Sequence, residues 1–270
     1  MLEKKIEMDR HRVAWNISQF LHGEQGALLV ASQLVSCAPT FNAKMYAASQ
    51  TFDEARHVEG FNRYLKEKIG FQYPATKGLK SLMDKILTDE RWDLKFIGMQ
   101  IIIEGLALAA FNNMKFILND GLLKQLLHYV IRDEARHVTF GVNYLEDYLK
   151  TLSKSEIEER AEFAFEACLV MRGRLISGEV VAKFLDYTPE EADRIAFESD
   201  QGQNFRTLLF TKIVPNLKRI GLLTDNVKEK YEQIGVLSYA ELEDNFNIDW
   251  AEMSKPYETQ EEIEKAIRLV

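Results

Sequence analysis

The chain has little of what staples, breaks or spans. Its 270 residues include two cysteines, Cys37 and Cys168, which form neither a Cys-x-x-Cys pair nor a disulfide framework and so point to a reduced compartment. Five prolines and 14 glycines leave long helices uninterrupted. No stretch approaches the ~20 uninterrupted apolar residues that a bilayer requires, so no membrane span is expected. Met1-Leu2-Glu3-Lys4-Lys5 leads into no apolar signal region, and a cytoplasmic protein is expected. A net charge of −8 argues against a nucleic-acid partner, because phosphate binding needs a concentrated basic face. With 46 % hydrophobic residues the chain can still bury a sizeable core. A single all-α domain over 1–270 is the simplest expectation.

What is present is a repeat. Asp53-Glu54-Ala55-Arg56-His57-Val58 returns 80 residues later as Asp133-Glu134-Ala135-Arg136-His137-Val138. At the same offset Ala27-Leu28 matches Ala107-Leu108, and Tyr64-Leu65 matches Tyr144-Leu145, so the repeat reads as a duplicated helical hairpin. Each hexapeptide contains Glu-x-x-His. Residues three apart share a helix face, so Glu54 with His57, and Glu134 with His137, each aim a carboxylate and an imidazole at one point. Glu24 and Glu104 each stand 30 residues before their repeat's second glutamate.

The candidate metal ligands, and with them the candidate catalytic set, are therefore Glu24, Glu54, His57, Glu104, Glu134 and His137. Two hairpins packed face to face make a four-helix bundle in which such residues enclose two metal ions. Four carboxylates balance two divalent cations in charge, and hard oxygen donors with one imidazole per ion suit iron. Glu104 lies between Ile101-Ile102-Ile103 and Leu106-Ala107-Leu108, where a lone carboxylate would be costly without a cation. A ligating imidazole usually gives its other N–H to a carboxylate. By the twofold relation Asp53 should hold His137 and Asp133 should hold His57, with Arg56 and Arg136 neutralising the acids. His11, His22 and His128 match no repeat position and read as surface or packing histidines, His128 alone keeping a claim as an extra ligand. Phe20, Leu28, Phe61 and Leu108 are expected to line a pocket beside the metals, with Phe111 and Phe140 among the core aromatics.

Along the chain the apolar spacing predicts helices over Arg12–Ser36, Asn42–Ile69, Leu79–Thr88, Asp93–Leu118 and Leu122–Leu152. Gly70 should stop the second, and Phe71 to Gly78 should be the crossover loop. The metal-binding bundle thus occupies about 12–152. Ser153 with Glu156 begins a helix running to about Lys183, and Thr188-Pro189-Glu190-Glu191 begins another. Asn204–Leu222 and Asn226–Gly235 complete the covering helices, about 153–244. The stretch 245–270 is expected to be a loose tail or a docking helix.

The paired pattern, a glutamate and then Asp-Glu-x-Arg-His about thirty residues on, resembles that of the ferritin-like di-iron carboxylate oxygenases and oxidases. These include the methane and toluene monooxygenase hydroxylases, acyl-carrier-protein desaturases, arylamine N-oxygenases, and the ribonucleotide reductase small subunit with its ligand-binding oxidase relatives. The resemblance covers about Phe20 to Leu149. It implies an all-α, ferritin-like four-helix bundle holding two Fe ions, or a Mn/Fe pair, with O2 as co-substrate, and a homodimer.

Three departures narrow that resemblance. Phe61 stands where the reductase small subunit carries its radical tyrosine. Ala107 and Leu108 stand where the hydroxylases and desaturases place a threonine. The third histidine of the N-oxygenases has no counterpart unless His128 serves. Leu28 and Leu108 suggest a dry pocket for an apolar or long-chain ligand, nearest in character to the ligand-binding oxidases. The expected activity is an O2-dependent oxidoreductase, a monooxygenase or oxidase, acting on a small organic molecule. The chain has no flavin, NAD or ferredoxin motif, so electrons come from a separate reductase or from the substrate. A ferroxidase or iron-handling protein, and a radical-generating subunit, are the alternatives.

Overall fold

The computed structural model describes residues 2–172, 177–245 and 248–258, and among these every regular element is helical. Four long helical segments carry the repeat's glutamates and histidines: α1 (Leu2–Cys37), α2 (Phe41–Tyr64), a rod formed by α4 (Trp92–Phe96), a π-helical stretch (Ile97–Ile103) and α5 (Glu104–Ile117), and α6 (Gly121–Leu149). The shorter α3 (Lys77–Thr88) lies between the two halves. α1 begins ten residues before the expected Arg12, because residues 2–11 continue the same helix.

Local sequence explains the ends. Thr40 caps α2 by accepting from the Ala43 amide at 3.2 Å, and Asp120 caps α6 by accepting from Leu123 at 2.8 Å. A π turn over Leu65–Ile69 extends α2 to Gly70, which closes it at a φ of 88° by donating its amide N–H to the Leu65 carbonyl at 2.7 Å. Lys95, almost fully buried, donates to the Ile86 and Leu87 carbonyls at 3.0 Å each, which satisfies orphan acceptors at the end of α3.

The rod Trp92–Ile117 is the most apolar of the described long segments. Its 26 residues are long and apolar enough to cross a membrane by length and composition, although polar residues such as Gln100 and Glu104 interrupt them. The most apolar window is 94 % buried inside the fold, as befits the central helix of a core.

The covering helices are α7 (Lys154–Arg172), α8 (Gly178–Phe184), α9 (Pro189–Glu198), α10 (Asp200–Phe210), α11 (Val214–Arg219) and α12 (Asp225–Gln233). The helix expected to reach Lys183 is described as far as Arg172; 173–176 lie outside the described residues, Ser177 is not helical, and α8 follows as a separate helix. The helix expected over Asn204–Leu222 starts at Asp200 and is broken at Thr211–Ile213, with Pro215 in the first turn of α11. Thr188 and Glu191 form the full capping box of α9. α7 is tied to the rod by Arg160, whose Nε donates to Asp93 at 2.9 Å with both side chains buried.

Of the expected tail, 246–247 and 259–270 lie outside the described residues. Its described part runs along α6: a short α13 (Trp250–Met253), a bond from His128 Nε2 to the Lys255 carbonyl at 2.9 Å, and one from the Tyr129 hydroxyl to Glu258 at 2.5 Å.

Candidate metal centre

All six sequence-selected glutamates and histidines converge and are buried: Glu24 from α1, Glu54 and His57 from α2, Glu104 from α5, Glu134 and His137 from α6. Both imidazoles turn Nδ1 inward. His57 Nδ1 lies 3.1 Å from Glu134 Oε1, 3.2 Å from Glu24 Oε2 and 3.4 Å from Glu54 Oε2. His137 Nδ1 lies 3.1 Å from Glu54 Oε1, 3.8 Å from Glu134 Oε1 and 3.9 Å from Glu104 Oε2. Two donors each ~2.1 Å from a cation and at right angles to it are about 3 Å apart, so these spacings suit a coordination shell.

The donor atoms fall into two groups. Glu24, Glu54, His57 and Glu134 form one, and Glu54, Glu104 and His137 the other; each can hold a metal ion, and Glu54 is common to both. Glu54 Oε2, Glu104 Oε2, Glu134 Oε1 and His137 Nδ1 are buried without a hydrogen-bond partner. Four such atoms facing one another in a core are costly unless a cation joins them. The donor set therefore fits a pair of metal ions.

The outer nitrogens pair across the repeat. His57 Nε2 is 3.3 Å from Asp133 Oδ2, and His137 Nε2 is 3.3 Å from Asp53 Oδ2. Arg56 donates to Asp53 at 2.5 Å and to Asp133 at 3.0 Å, and Arg136 donates to Asp133 at 2.6 Å and to Asp53 at 3.3 Å. A closed ring of two acids and two half-exposed arginines thus fixes the tautomer of both histidines. Burial alone would raise Asp53, but bonds from His137 and Arg56 hold it down at about 2. Asp133 is likewise held below its ordinary value, against its burial, by His57 and Arg136.

The inner carboxylates behave oppositely. Burial, then the Glu134 charge, pushes Glu24 and Glu104 well above the ordinary glutamate value, and burial with the Glu54 charge raises Glu134. Burial works against Glu54 as well, yet its contact with both imidazoles keeps it low. Without a cation the cluster is hungry for protons.

Three residues absent from the expected site shape one side of it. Gln50 Nε2 donates to Glu104 Oε1 at 2.7 Å and to Glu54 Oε1 at 3.2 Å, and its own carbonyl accepts from Gln100 Nε2 at 3.1 Å. Gln100 sits in the π-helical stretch just before Glu104, a place where such stretches often serve function. It fits because residue 141 is glycine: a Cβ there would stand 2.5 Å from Gln100 Cβ. The repeat equivalents of Gln50, Gln100 and Gly141 are Val130, Phe20 and Phe61. One half is therefore polar where the other is apolar, and testing where the repeat fails would have found all three.

Against the cluster lies an apolar cavity of about 60 Å³, where one water needs ~10–15 Å³. Phe20, Ala27, Leu79, Ala107, Phe111 and Met171 are among its walls, and Glu24, Glu104 and Glu134 reach it. Of the four expected pocket residues only Phe20 lines it. Phe61 is fully buried behind, its ring centroid 6.1 Å from Phe20 and 5.8 Å from Phe111. Leu28 and Leu108 are also displaced, and helix geometry gives the reason. The residue three after a glutamate lies about 60° to one side of it and the residue four after lies about 40° to the other. The cavity is on the first side, so Ala27 and Ala107 face it. Leu108 instead lines a separate cleft with Asn112 and Met253.

The other histidines stay outside. His128 is 2.9 Å from the Lys115 ammonium and bonds the tail, so it supplies no third imidazole. His11 and His22 hold the crossover loop through the Tyr73 hydroxyl at 2.7 Å and the Tyr73 carbonyl at 2.9 Å. Phe140 stacks on Tyr46 at 3.7 Å, one turn before Gln50. No protein-family model matches the chain, and a search of curated proteins finds no match.

Proposed function

We propose that the chain is a ferritin-like di-metal oxidoreductase that uses O2 to oxidise a small, apolar organic substrate. The observation that carries this reading is the set of four buried, partnerless donor atoms, shared between two pseudo-symmetric Glu and His groups and opening onto an apolar cavity. Glu24, Glu54, His57 and Glu134 would hold one ion, and Glu54, Glu104 and His137 the other. Two iron ions, or manganese and iron, supply O2 activation when bound there.

The protein's own part is binding and control. The alanines and aromatics of the cavity exclude water and seat the substrate beside Glu24, Glu104 and Glu134. Asp53 and Asp133 keep Nε2–H of each histidine occupied, which leaves Nδ1 free to bind metal. Gln50 fixes Glu104 from behind. Electrons come from a reductase partner or from the substrate.

The test is rapid-mixing absorbance of anaerobically Fe(II)-loaded protein against O2 at rising iron-to-protein ratios. Saturation at two irons per chain with a transient visible band supports the proposal. A ferric signal that grows without limit and without a transient replaces it with a ferroxidase.

A further inference from the structure

Outside the glutamate cluster, the chain carries a second chemically unusual place. Arg206 in α10 is only 3 % exposed. Its Nη2 donates to the Phe197 carbonyl at 2.6 Å, and its guanidinium carbon stands 3.8 Å over the Phe197 ring. Its Nε and Nη1 are buried with no partner, and so is Nε of Arg172 at the end of α7. Both arginines line one cavity, together with Gln203, Thr207 and the backbone turn at Gly235. Glu198, at the exposed edge of that cavity, forms none of the described ion pairs with either.

Two guanidiniums that share a cavity, neither paired with its one lining acid, Glu198, are a costly arrangement. An uncompensated buried charge is destabilising, and a second like charge adds to it. Burial and the neighbouring Arg172 charge both press Arg206 below the ordinary arginine value. Arginine does not relieve this by losing its proton, since its pKa stays above ~12. The remaining relief is an anion from outside the chain. Stacking on Phe197 removes rotamer freedom from the guanidinium in advance, which lowers the entropic cost of binding.

We propose that the cavity between α7 and α10 binds an oxyanion, the phosphate or carboxylate group of a small molecule, through Arg206 and Arg172, with Gln203 and Thr207 as neutral neighbours. The inference does not depend on the metal reading. Met171, which walls the apolar cavity, and Arg172, which walls this one, are consecutive on α7, so an occupied anion site braces the helix end that closes the apolar cavity.

The experiment is isothermal titration of the full chain at low ionic strength with two separate probes, inorganic phosphate and hexanoate. Saturable one-site binding is expected, weakened at least tenfold in Arg206→Met and in Arg172→Met. Phosphate alone binding identifies a phosphate-bearing ligand, and hexanoate alone a carboxylate. The melting temperature of Arg206→Met should hold or rise, since the substitution removes an unpaired buried charge and keeps an apolar stem. Absence of saturable binding by both probes overturns the proposal, as does binding that survives both substitutions. If Arg206→Met fails to fold, the half-buried Arg172→Met decides by the same titration.

Discussion

The Gln50 amide reaches Glu104 Oε1 at 2.7 Å, whereas Val130, its equivalent in the other half, offers Glu24 no such bond. The two halves of the cluster are therefore unequal. Gln50→Val should weaken the metal position built on Glu104 and His137 by about tenfold, the range expected when a bond to a ligating carboxylate is lost, and weaken the other less, because the two positions share only the longer bond from Gln50 to Glu54. Titration of stripped protein with Mn2+ checks this: two equal affinities, before and after substitution, would remove the asymmetry.

Protonation gives a second expectation with a definite sign. Glu24, Glu104, Glu134 and both ligand histidines have folded-state values above their unfolded ones, so the metal-free folded chain binds more protons than the unfolded chain. Its stability should then fall as pH rises from the ordinary glutamate value of 4.5 toward neutrality and beyond. Asp53 works the other way, contributing above its unfolded value of 3.8 and losing that contribution only as pH drops toward about 2. Melting curves of chelator-stripped protein between pH 5 and pH 8 should descend, and added Mn2+ should flatten them with release of protons. A stripped protein that gains stability over that interval contradicts the assignment.

Asp133→Asn keeps the shape of the ring around the histidines but removes a charge that His57, Arg56 and Arg136 all share. Metal affinity should fall by ~10–100-fold with the helical content retained. Circular dichroism beside metal analysis separates the two, and unchanged affinity would leave Asp133 without a role in the site.

Ala107→Leu should fill the apolar cavity without touching a donor atom. Both metals should still bind, while substrate-dependent decay of the O2 reaction should be lost. If an organic substrate is still turned over at the original rate, it enters elsewhere.

Arg160→Met leaves Asp93 buried and unpaired, and removal of one partner of such a pair costs ~3–5 kcal/mol. Denaturant unfolding measures this, and a loss below about 1 kcal/mol would show that Asp93 finds another partner.

Much of the site was legible because a helix converts spacing into direction. Glu-x-x-His twice, with a glutamate upstream of each, left one way to face six side chains inward, and the crossed pairing of Asp53 and Asp133 followed from the twofold relation alone. The side of the helix on which the cavity lies was not legible. Leu28 and Ala27 both neighbour Glu24, and only packing against α3 and Met171 selects Ala27. Gln50, Gln100 and Gly141 were missed because attention to a repeat favours what recurs, and these matter by not recurring. The π-helical stretch over Ile97–Ile103 was hidden for another reason: seven wholly buried positions carry no polar rhythm from which a period can be read.

Glu104 occupies the middle of the rod Trp92–Ile117, the one described segment that a lipid bilayer could accept by length and composition. A charged group at the centre of such a helix costs about 3 kcal/mol on insertion, much as several leucines would repay. During synthesis, before α6 has been made to pack against the rod, this carboxylate is a feature that raises the cost of placing the segment in a bilayer. The residue that places a buried donor atom in the folded core is thus also the one that makes its segment a poorer membrane span.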